Sequence, residues 1–177
     1  MANKRNNKNK QTWRTPLLPI LLAVLATLVI LGIFVPGRPR QRHYARRVVC
    51  LANLHTLGKA LAAYAKEQDG KYPTTDKWCD LLIEHAEVSE RAFVCPSAGE
   101  GLCHYAINPN CKPNSPADMV LLFETKGGWN QFGGPEILTT ENHKGKGCNI
   151  LFNNGRVEFV KPERLGELKW EVEEGEK

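Results

Sequence analysis

The chain has 177 residues, of which 42% are apolar and 24% are charged. This balance is typical of a globular protein and excludes a wholly disordered chain. The length accommodates one modest domain with appendages, and six cysteines are too few for a small protein held together mainly by disulfides.

The net charge of +5 conceals an uneven distribution of charge along the chain. Residues 1–66 contain 12 Lys or Arg and no acidic residue, whereas residues 67–177 contain 12 basic and 19 acidic residues. A nucleic-acid-binding protein would carry a basic patch on its binding face. Here the basic residues flank one long apolar stretch, so we expect no nucleic-acid partner.

No charged residue lies between Arg14 and Arg38, and residues 17–35 are almost entirely apolar. A helix of this length reaches about 28 Å, close to the ~30 Å hydrocarbon core of a bilayer. We therefore predict a transmembrane anchor over residues 16–36, after a basic amino-terminal tail at 1–15. A cleaved signal peptide is the alternative, but such apolar regions are usually ~7–15 residues long and end at a small-x-small site, which this stretch lacks.

The orientation of the anchor is not given by its flanking charges, because equal numbers of basic residues precede and closely follow it. The cysteines favour an exported carboxy-terminal part, since disulfides persist in oxidising compartments. Free cytosolic thiols are the alternative. We expect a single-pass inner-membrane protein with its head on the non-cytoplasmic side. The candidates for disulfides, whose pairing the sequence does not choose, are Cys79, Cys95, Cys103, Cys111 and Cys148.

The first predicted element after the anchor is a long amphipathic helix over residues 40–68. Apolar residues recur there every three or four positions from Val48 to Tyr64. Cys50 falls in this helix and is expected to be a small buried residue. Residues 37–44 are predicted to form a basic linker, so that the head comprises residues 45–162.

A second, shorter helix is predicted after Asp76, which can cap it. Strand-like segments follow, and Asn154-Gly155 between two of them predicts a hairpin. Pro162 opens a last short helix, so residues 163–177 form a carboxy-terminal helix and an acidic tail. The predicted strands are Ala92–Pro96, Cys103–Ile107, Met119–Phe123, Cys148–Phe152 and Arg156–Val160. Helices followed by a meander of strands predict an α+β fold, with the long helix packed on a small antiparallel sheet.

Four segments in order resemble one bacterial pattern. Residues 45–54 read ARRVVCLANL, and DGKYP follows at 69–73. Residues 93–97 read FVCPS, and a closing hairpin runs from His143 to Gly155. These segments resemble a cysteine-containing branch of the pseudopilins, within the type II secretion and type IV pilin superfamily. The residues that carry the resemblance are Arg46, Arg47, Cys50, Asn53, Leu54, Gly58, Tyr64, Pro73, Cys95, Pro96, His143, Asn149, Phe152, Asn154 and Gly155.

The resemblance implies a membrane-anchored protein that acts in protein–protein interaction within a type II secretion or pilus-like envelope assembly. It implies no enzymatic activity, and its partners would be other envelope or secretion-assembly proteins or further copies of the chain. Residues 13–18 read WRTPLL and lack the glycine and the glutamate of the family's processing site, so we expect no cleavage by prepilin peptidase. The alternative is a stand-alone membrane-bound extracytoplasmic binding protein with the same head, for which a metal is one candidate ligand.

His143 is the candidate for a metal or catalytic role. Zinc needs three or four ligands, usually paired two to four residues apart, and neither Cys-x-x-Cys nor His-x-x-x-His occurs. Glu141 is the nearest acidic residue in sequence. We therefore expect His143 to hydrogen-bond a loop of the hairpin, and we predict no catalytic residue, no metal ligand and no cofactor.

Two further features leave alternatives open. The basic residues of 38–47 can bind acidic lipid headgroups or a partner, or they can belong to a solvated linker. Trp129 and Phe132 lie among glycines and can either form a binding loop or simply cover the sheet.

Overall fold

The computed structural model of the protein describes residues 17–34 and 39–172. The chain divides into two units, Met1–Arg38 and Pro39–Lys177. The described part of the first unit is one helix, α1 (Leu17–Phe34), which lies within the predicted anchor. The predicted basic tail, the start of the linker and the end of the acidic tail lie outside the described residues.

The second unit begins with α2 (Pro39–Glu67), a helix of 29 residues. It includes residues 39–44 of the predicted linker, which are therefore helical. Proline suits the first turn of a helix, because its missing N–H would have no partner there. Leu54 and Leu61 on one face of α2 are fully buried, which confirms the predicted amphipathic helix.

Among the described helices, α2 over Gln41–Glu67 is the one with the length and apolar composition needed to cross a membrane, and the apolar part of α1, Leu17–Gly32, is shorter. α2 nevertheless buries one side in the core of the head and exposes His55, Lys59 and Lys66 on the other. Burial of one face against the head explains its apolar residues.

The predicted short helix is confirmed as α3 (Trp78–Ala86). It follows a 3₁₀ turn at Thr75–Lys77. Asp76 lies inside that turn, and its side chain caps neither the turn nor α3. The first residue of α3, Trp78, is fully buried.

The predicted strand at Ala92–Pro96 is wrong, because Glu90–Phe93 forms a 3₁₀ turn. Two carbonyl groups of this segment are bound without a neighbouring strand. The carbonyl of Phe93 accepts the backbone N–H of His104, and the next carbonyl accepts Nδ2 of Asn53 at 2.8 Å.

The other predicted strands are confirmed. Four strands form one antiparallel sheet in the order of the sequence, so the sheet is a meander. They are β1 (Tyr105–Ile107), β2 (Val120–Glu124), β3 (Cys148–Phe152) and β4 (Val157–Val160). Helices followed by an antiparallel sheet make this an α+β fold.

Both faces of the sheet are covered by apolar side chains. On one face Leu151 packs into the cluster that includes the buried residues of α2. A Cβ atom at Gly58 of α2 would lie 2.9 Å from Cδ2 of Leu151, so glycine lets helix and sheet approach closely. On the other face Phe123 packs edge-to-face with Trp170 at 4.9 Å between ring centroids.

The hairpin between β3 and β4 forms as predicted, with one difference in its turn. Gly155 takes a φ of +83°, whereas Asn154 does not take a positive φ. Asn154 instead accepts the backbone N–H of Arg156 through Oδ1 at 3.0 Å, the local bond that favours asparagine in turns. The last predicted helix is a 3₁₀ helix, Pro162–Glu167.

Candidate functional site

A buried polar cluster formed by Glu124, His143 and Asn149 lies at one end of the sheet. Glu124 and Asn149 are fully buried, and His143 is 8% exposed. Oε2 of Glu124 accepts the backbone N–H of Asn149 at 2.8 Å, and Oε1 accepts its Nδ2 at 3.0 Å. Nε2 of His143 also lies 3.0 Å from Oε1. With Oε1 as the acceptor, the histidine donates through the tautomer that carries its proton on Nε2.

The sheet register brings these side chains together. Glu124 is the last residue of β2 and Asn149 lies beside it in β3, because the preceding residue, Phe123, pairs with Ile150. His143 ends the 3₁₀ turn Glu141–His143, shortly before β3 begins. A buried carboxylate is costly unless it is hydrogen-bonded, and here three N–H groups surround it. The predicted partner of His143, a hairpin loop, is therefore replaced by a strand residue, Glu124.

A disulfide joins Cys50 of α2 to Cys95, with 5.0 Å between the Cα atoms. The expectation that Cys50 is merely a small buried residue is therefore wrong: it is buried, and it is also bonded. Its place on the buried face of α2, one turn before Leu54, directs its sulfur into the head. The remaining disulfide candidates are buried free thiols in the structure: Cys79, Cys103, Cys111 and Cys148.

The disulfide adjoins the polar cluster. One ligand atom from each of Cys50, Cys95, Glu124 and His143 lies within 4.8 Å of every other. Two cysteines, a histidine and a carboxylate are ligands that zinc takes in tetrahedral sites. The disulfide-bonded form does not fit such a site, because zinc binds the thiolate and only two of the four groups remain. The reduced form offers all four.

A basic pocket with a volume of about 430 Å³ opens beside the polar cluster. Its walls come from the first turns of α2, from the residues before β3 and from β4. Three of the lining residues are Lys or Arg and none is Asp or Glu. The residues of the basic pocket are His43, Tyr44, Arg47, Ser97, Asn142, His143, Lys144, Lys146 and Phe159. His143 therefore belongs to both the polar cluster and the basic pocket.

Arg47 is held in the basic pocket by aromatic rings. Its Cζ atom lies 4.3 Å from the ring centroid of Phe159 and 5.0 Å from that of Tyr44. These are distances at which a guanidinium is attracted to the ring face. Phe159 also meets the ring of His143 edge-on, with 5.5 Å between centroids. Arg47 thus contacts the ring of Phe159, and Phe159 in turn contacts His143 of the polar cluster.

Lys144 and His43 meet at the same pocket. Nζ of Lys144 lies 2.8 Å from Nε2 of His43, and because an ammonium only donates, the imidazole accepts. The positive charge of Lys144 is the main cause that lowers the pKa of His43, and Arg46 and Lys146 act in the same direction. The positive charges around His43 therefore disfavour its protonation.

The other residues of the motifs mainly support the fold. Asn53 binds the chain before Cys95, as described above, and Tyr64 packs edge-to-face against His85 at 5.7 Å between centroids. Pro73 is buried, whereas Arg46 and Pro96 are exposed. The motif pattern thus combines core residues and turn residues with three residues of the site, Arg47, His143 and Asn149.

The loop around Trp129 is fastened to α3. Nε1 of Trp129 donates to Oδ1 of Asp80 at 2.8 Å, and its ring lies 5.3 Å from that of Phe93 between centroids. The sequence leaves two alternatives for this loop. Trp129 fits the one in which the aromatic residues cover the core, whereas Phe132 is 51% exposed.

Sequence reasoning missed Glu124, Lys144 and Lys146 as members of the site. Glu124 ends an otherwise apolar strand, VLLFE, and a lone acidic residue at such a position was the available signal. The two lysines flank a glycine near His143, a spacing with no pattern of its own. Comparisons of the chain with protein-family models, curated proteins and solved structures gave no match.

Proposed function

We propose that the chain is a single-pass membrane protein whose pseudopilin-like head acts in protein–protein interaction on the non-cytoplasmic side, within a type II secretion or pilus-like envelope assembly. On this proposal prepilin peptidase does not process it. The observation that carries the proposal is that an exposed apolar helix, α1, precedes in sequence the core helix α2 of an α+β head.

The apolar helix α1 supports the anchor. Its large apolar side chains from Leu17 to Leu31 are at least half exposed on every side of the helix, an arrangement that is unfavourable in water and favourable in lipid. They are Leu17, Leu18, Ile20, Leu21, Leu22, Val24, Leu25, Leu28, Val29, Ile30 and Leu31. Thr27 does not interrupt this surface, because its hydroxyl donates to the carbonyls of Ala23 and Val24 within the helix.

The disulfide supports export of the head. A bond such as Cys50–Cys95 persists in an oxidising compartment and is rare in the cytosol. An experiment with epitope tags tests this topology. With a tag at each end of the chain, protease added to spheroplasts should remove the carboxy-terminal tag and spare the amino-terminal one. Protection of the carboxy-terminal tag would contradict the proposal.

Exposed apolar side chains at the start of α2 support a contact with another protein. Val48 is 45% exposed and Val49 is 47% exposed, whereas the large apolar side chains of Leu54, Leu57 and Leu61 further along the helix are fully buried. A photo-crosslinking amino acid at either position should give adducts with a secretion or pilus-assembly component or with a second copy of the chain. The same probe at Lys59 or Lys66, which are exposed on α2, is the matched control.

The crosslinking experiment distinguishes the proposal from a stand-alone protein. Adducts with an assembly component at 48 or 49, and none at 59 or 66, would support a role in the assembly. Absence of adducts at 48 and 49 in the expressed, membrane-inserted protein would contradict it.

The second candidate, a stand-alone binding protein that binds metal, is favoured by one observation. The ligand atoms of Cys50, Cys95, Glu124 and His143 lie within 4.8 Å of one another. Metal analysis of the purified full chain, with and without reductant, tests it. Stoichiometric zinc in the reduced protein that is lost in His143→Ala would favour this candidate, and its absence would oppose it.

A further inference from the structure

We propose that the basic pocket binds a phosphate ester, either a free one or the headgroup of an anionic lipid. The first reason is the balance of charge in its walls. Arg47, Lys144 and Lys146 contribute three positive charges, and no Asp or Glu lines the pocket. Glu124 lies behind His143, does not line the pocket and is bound by three N–H groups of other residues rather than by these three side chains.

The second reason is the environment of the Arg47 side chain. Its side chain is half-buried between Phe159 and Tyr44, and within residues 17–34 and 39–172 its N–H groups have no hydrogen-bond acceptor. Partly desolvating a cation without a counter-ion is unfavourable. A guanidinium presents its donors as a planar fork that matches the oxygens of a phosphate or a carboxylate. A bound anion would complete this arrangement.

The third reason is a hydroxyl in the wall. Oγ of Ser97 is shielded from solvent and has no hydrogen-bond partner among the described residues, and Ser97 lines the basic pocket. A hydroxyl can donate to an anion oxygen as readily as to a carbonyl, and rotation of the Ser97 side chain would turn this one towards the cavity. Ser97 follows Cys95 by two residues, so the disulfide to α2 helps to hold this segment at the pocket wall.

Phosphate is favoured over a simple carboxylate by charge and by size. A phosphate monoester such as glycerol 1-phosphate carries about −1.5 to −2 charges near neutral pH, which suits three cations better than the single charge of a carboxylate. This charge argument applies to a monoester and not to a lipid phosphodiester, whose charge is also single. The volume of about 430 Å³ also leaves room for an organic group beside the rings of Tyr44 and Phe159.

Two sources supply this chemistry. His43 follows the last residue of α1 by nine positions, so a lipid headgroup is one source if α1 spans a bilayer. A soluble phosphate ester is the other. The inference goes beyond the proposed function, and it is tested by binding to the purified protein rather than by the partners found in cells.

The experiment uses the full chain in a neutral detergent at constant ionic strength. Isothermal titration calorimetry first measures binding of glycerol 1-phosphate. It then compares mixed micelles that contain phosphatidylglycerol with micelles that contain phosphatidylcholine. Binding of glycerol 1-phosphate identifies a soluble source, and binding of phosphatidylglycerol alone identifies a lipid source; either result supports the proposal. No binding of either probe would overturn it.

Matched variants locate the site. The double variant Lys144→Gln, Lys146→Gln should weaken binding about 10-fold or more, because it removes two charged donors. The variant Lys59→Gln, Lys66→Gln makes the same change of charge elsewhere and should leave the affinity unchanged. Equal losses in both variants would indicate general attraction by net charge and would overturn the site.

A more conservative variant distinguishes a loss of binding from a loss of folding. Arg47→Lys keeps the charge and removes the planar fork, so it should also weaken binding while tryptophan fluorescence of the folded protein is unchanged. An unaltered affinity in Arg47→Lys would contradict the role given to Arg47 and with it the proposal.

Discussion

Nε2 of His143 lies 3.0 Å from Oε1 of Glu124, and both side chains are almost inaccessible to solvent. The two residues are 19 positions apart, in the turn before β3 and at the end of β2. Their bond fixes the histidine ring at the wall of the basic pocket. Because Glu124 is also bound by Asn149, one carboxylate organises the strand end, the turn and the pocket wall.

Replacing this carboxylate should destabilise the head. Glu124→Gln puts an amide where the structure requires an acceptor for three N–H groups, so we expect the free energy of unfolding to fall by about 1–3 kcal/mol. Urea denaturation of the full chain in neutral detergent, followed by tryptophan fluorescence, measures it. Glu141→Gln is the control, because Glu141 is exposed, and it should stay within about 0.5 kcal/mol of the unmodified chain. Equal stabilities of the two variants would show that Glu124 does not organise the site.

Removing the disulfide should lower the free energy of unfolding, because the unfolded chain gains conformational entropy when it is no longer cross-linked. Cys50 and Cys95 are separated by 45 residues in sequence, and closing a loop of this length stabilises a protein by about 4 kcal/mol in the chain-entropy model, with ~2–4 typical. We expect Cys50→Ala, Cys95→Ala to lose stability of this order. Reductant should lower the stability of the unmodified protein and leave that of the double variant unchanged. A response of the double variant to reductant would point to a different bond.

A glycine before β3 should tolerate no side chain. Gly147 has a φ of +136°, and a Cβ atom there would lie 2.2 Å from the carbonyl oxygen of Val160. Because that oxygen belongs to the backbone of β4, it cannot turn away, so Gly147→Ala should lose about 1–3 kcal/mol or more. Gly166→Ala is the control, since a Cβ atom at Gly166 meets no atom within 4 Å. Unchanged stability of Gly147→Ala in the same urea assay would contradict the close approach of these two strands.

The pKa of His43 should respond to Lys144. Lys144 is the main cause that lowers this pKa from its ordinary value of 6.5, so Lys144→Met should raise the pKa, as measured by NMR titration of the imidazole in phosphate-free buffer. Lys161→Met, an exposed lysine elsewhere, should leave it unchanged. A pKa of His43 that is the same in Lys144→Met and in the unmodified chain would refute the contact.

The sign of the pH dependence follows from the direction of this shift. When the pKa of a base is lower in the folded state than in the unfolded state, protonation favours the unfolded state. The contribution of His43 should therefore lower stability as the pH falls through about 6.5, the ordinary value of the unfolded chain. In Lys144→Met this part of the pH dependence should become smaller.

Most of the fold could be predicted because its elements carry local signals. The periodicity of α2 and the Asn-Gly turn of the β3–β4 hairpin each depend on neighbouring residues, which a sequence displays directly. The segment 92–96 misled because its continuous apolar run AFVC is buried without forming a strand, and its first residues belong to a 3₁₀ turn. Its carbonyls bind Asn53 and His104, two distant partners that only the folded chain brings near.

The site was less predictable because its parts are distant in sequence. His143 was identified, but its partner Glu124 lies 19 positions away and was hidden in an apolar strand. To predict the disulfide, one would have to know that the buried face of α2 meets the chain before β1, and periodicity alone does not show this. Lys144 and Lys146 form a pocket only because α2 starts at Pro39 and brings His43 and Arg47 opposite them.

The Cys50–Cys95 bond also determines how the head would respond to mechanical load. Tension entering α2 from its amino-terminal end would pass through the sulfur atoms straight to the segment before β1, because covalent bonds carry force before hydrogen bonds do. The rest of α2 and α3 lie within the bypassed loop. Pulling between the two ends of the head would therefore not extend these helices directly, and the load would pass through the segment after Cys95 to the strands.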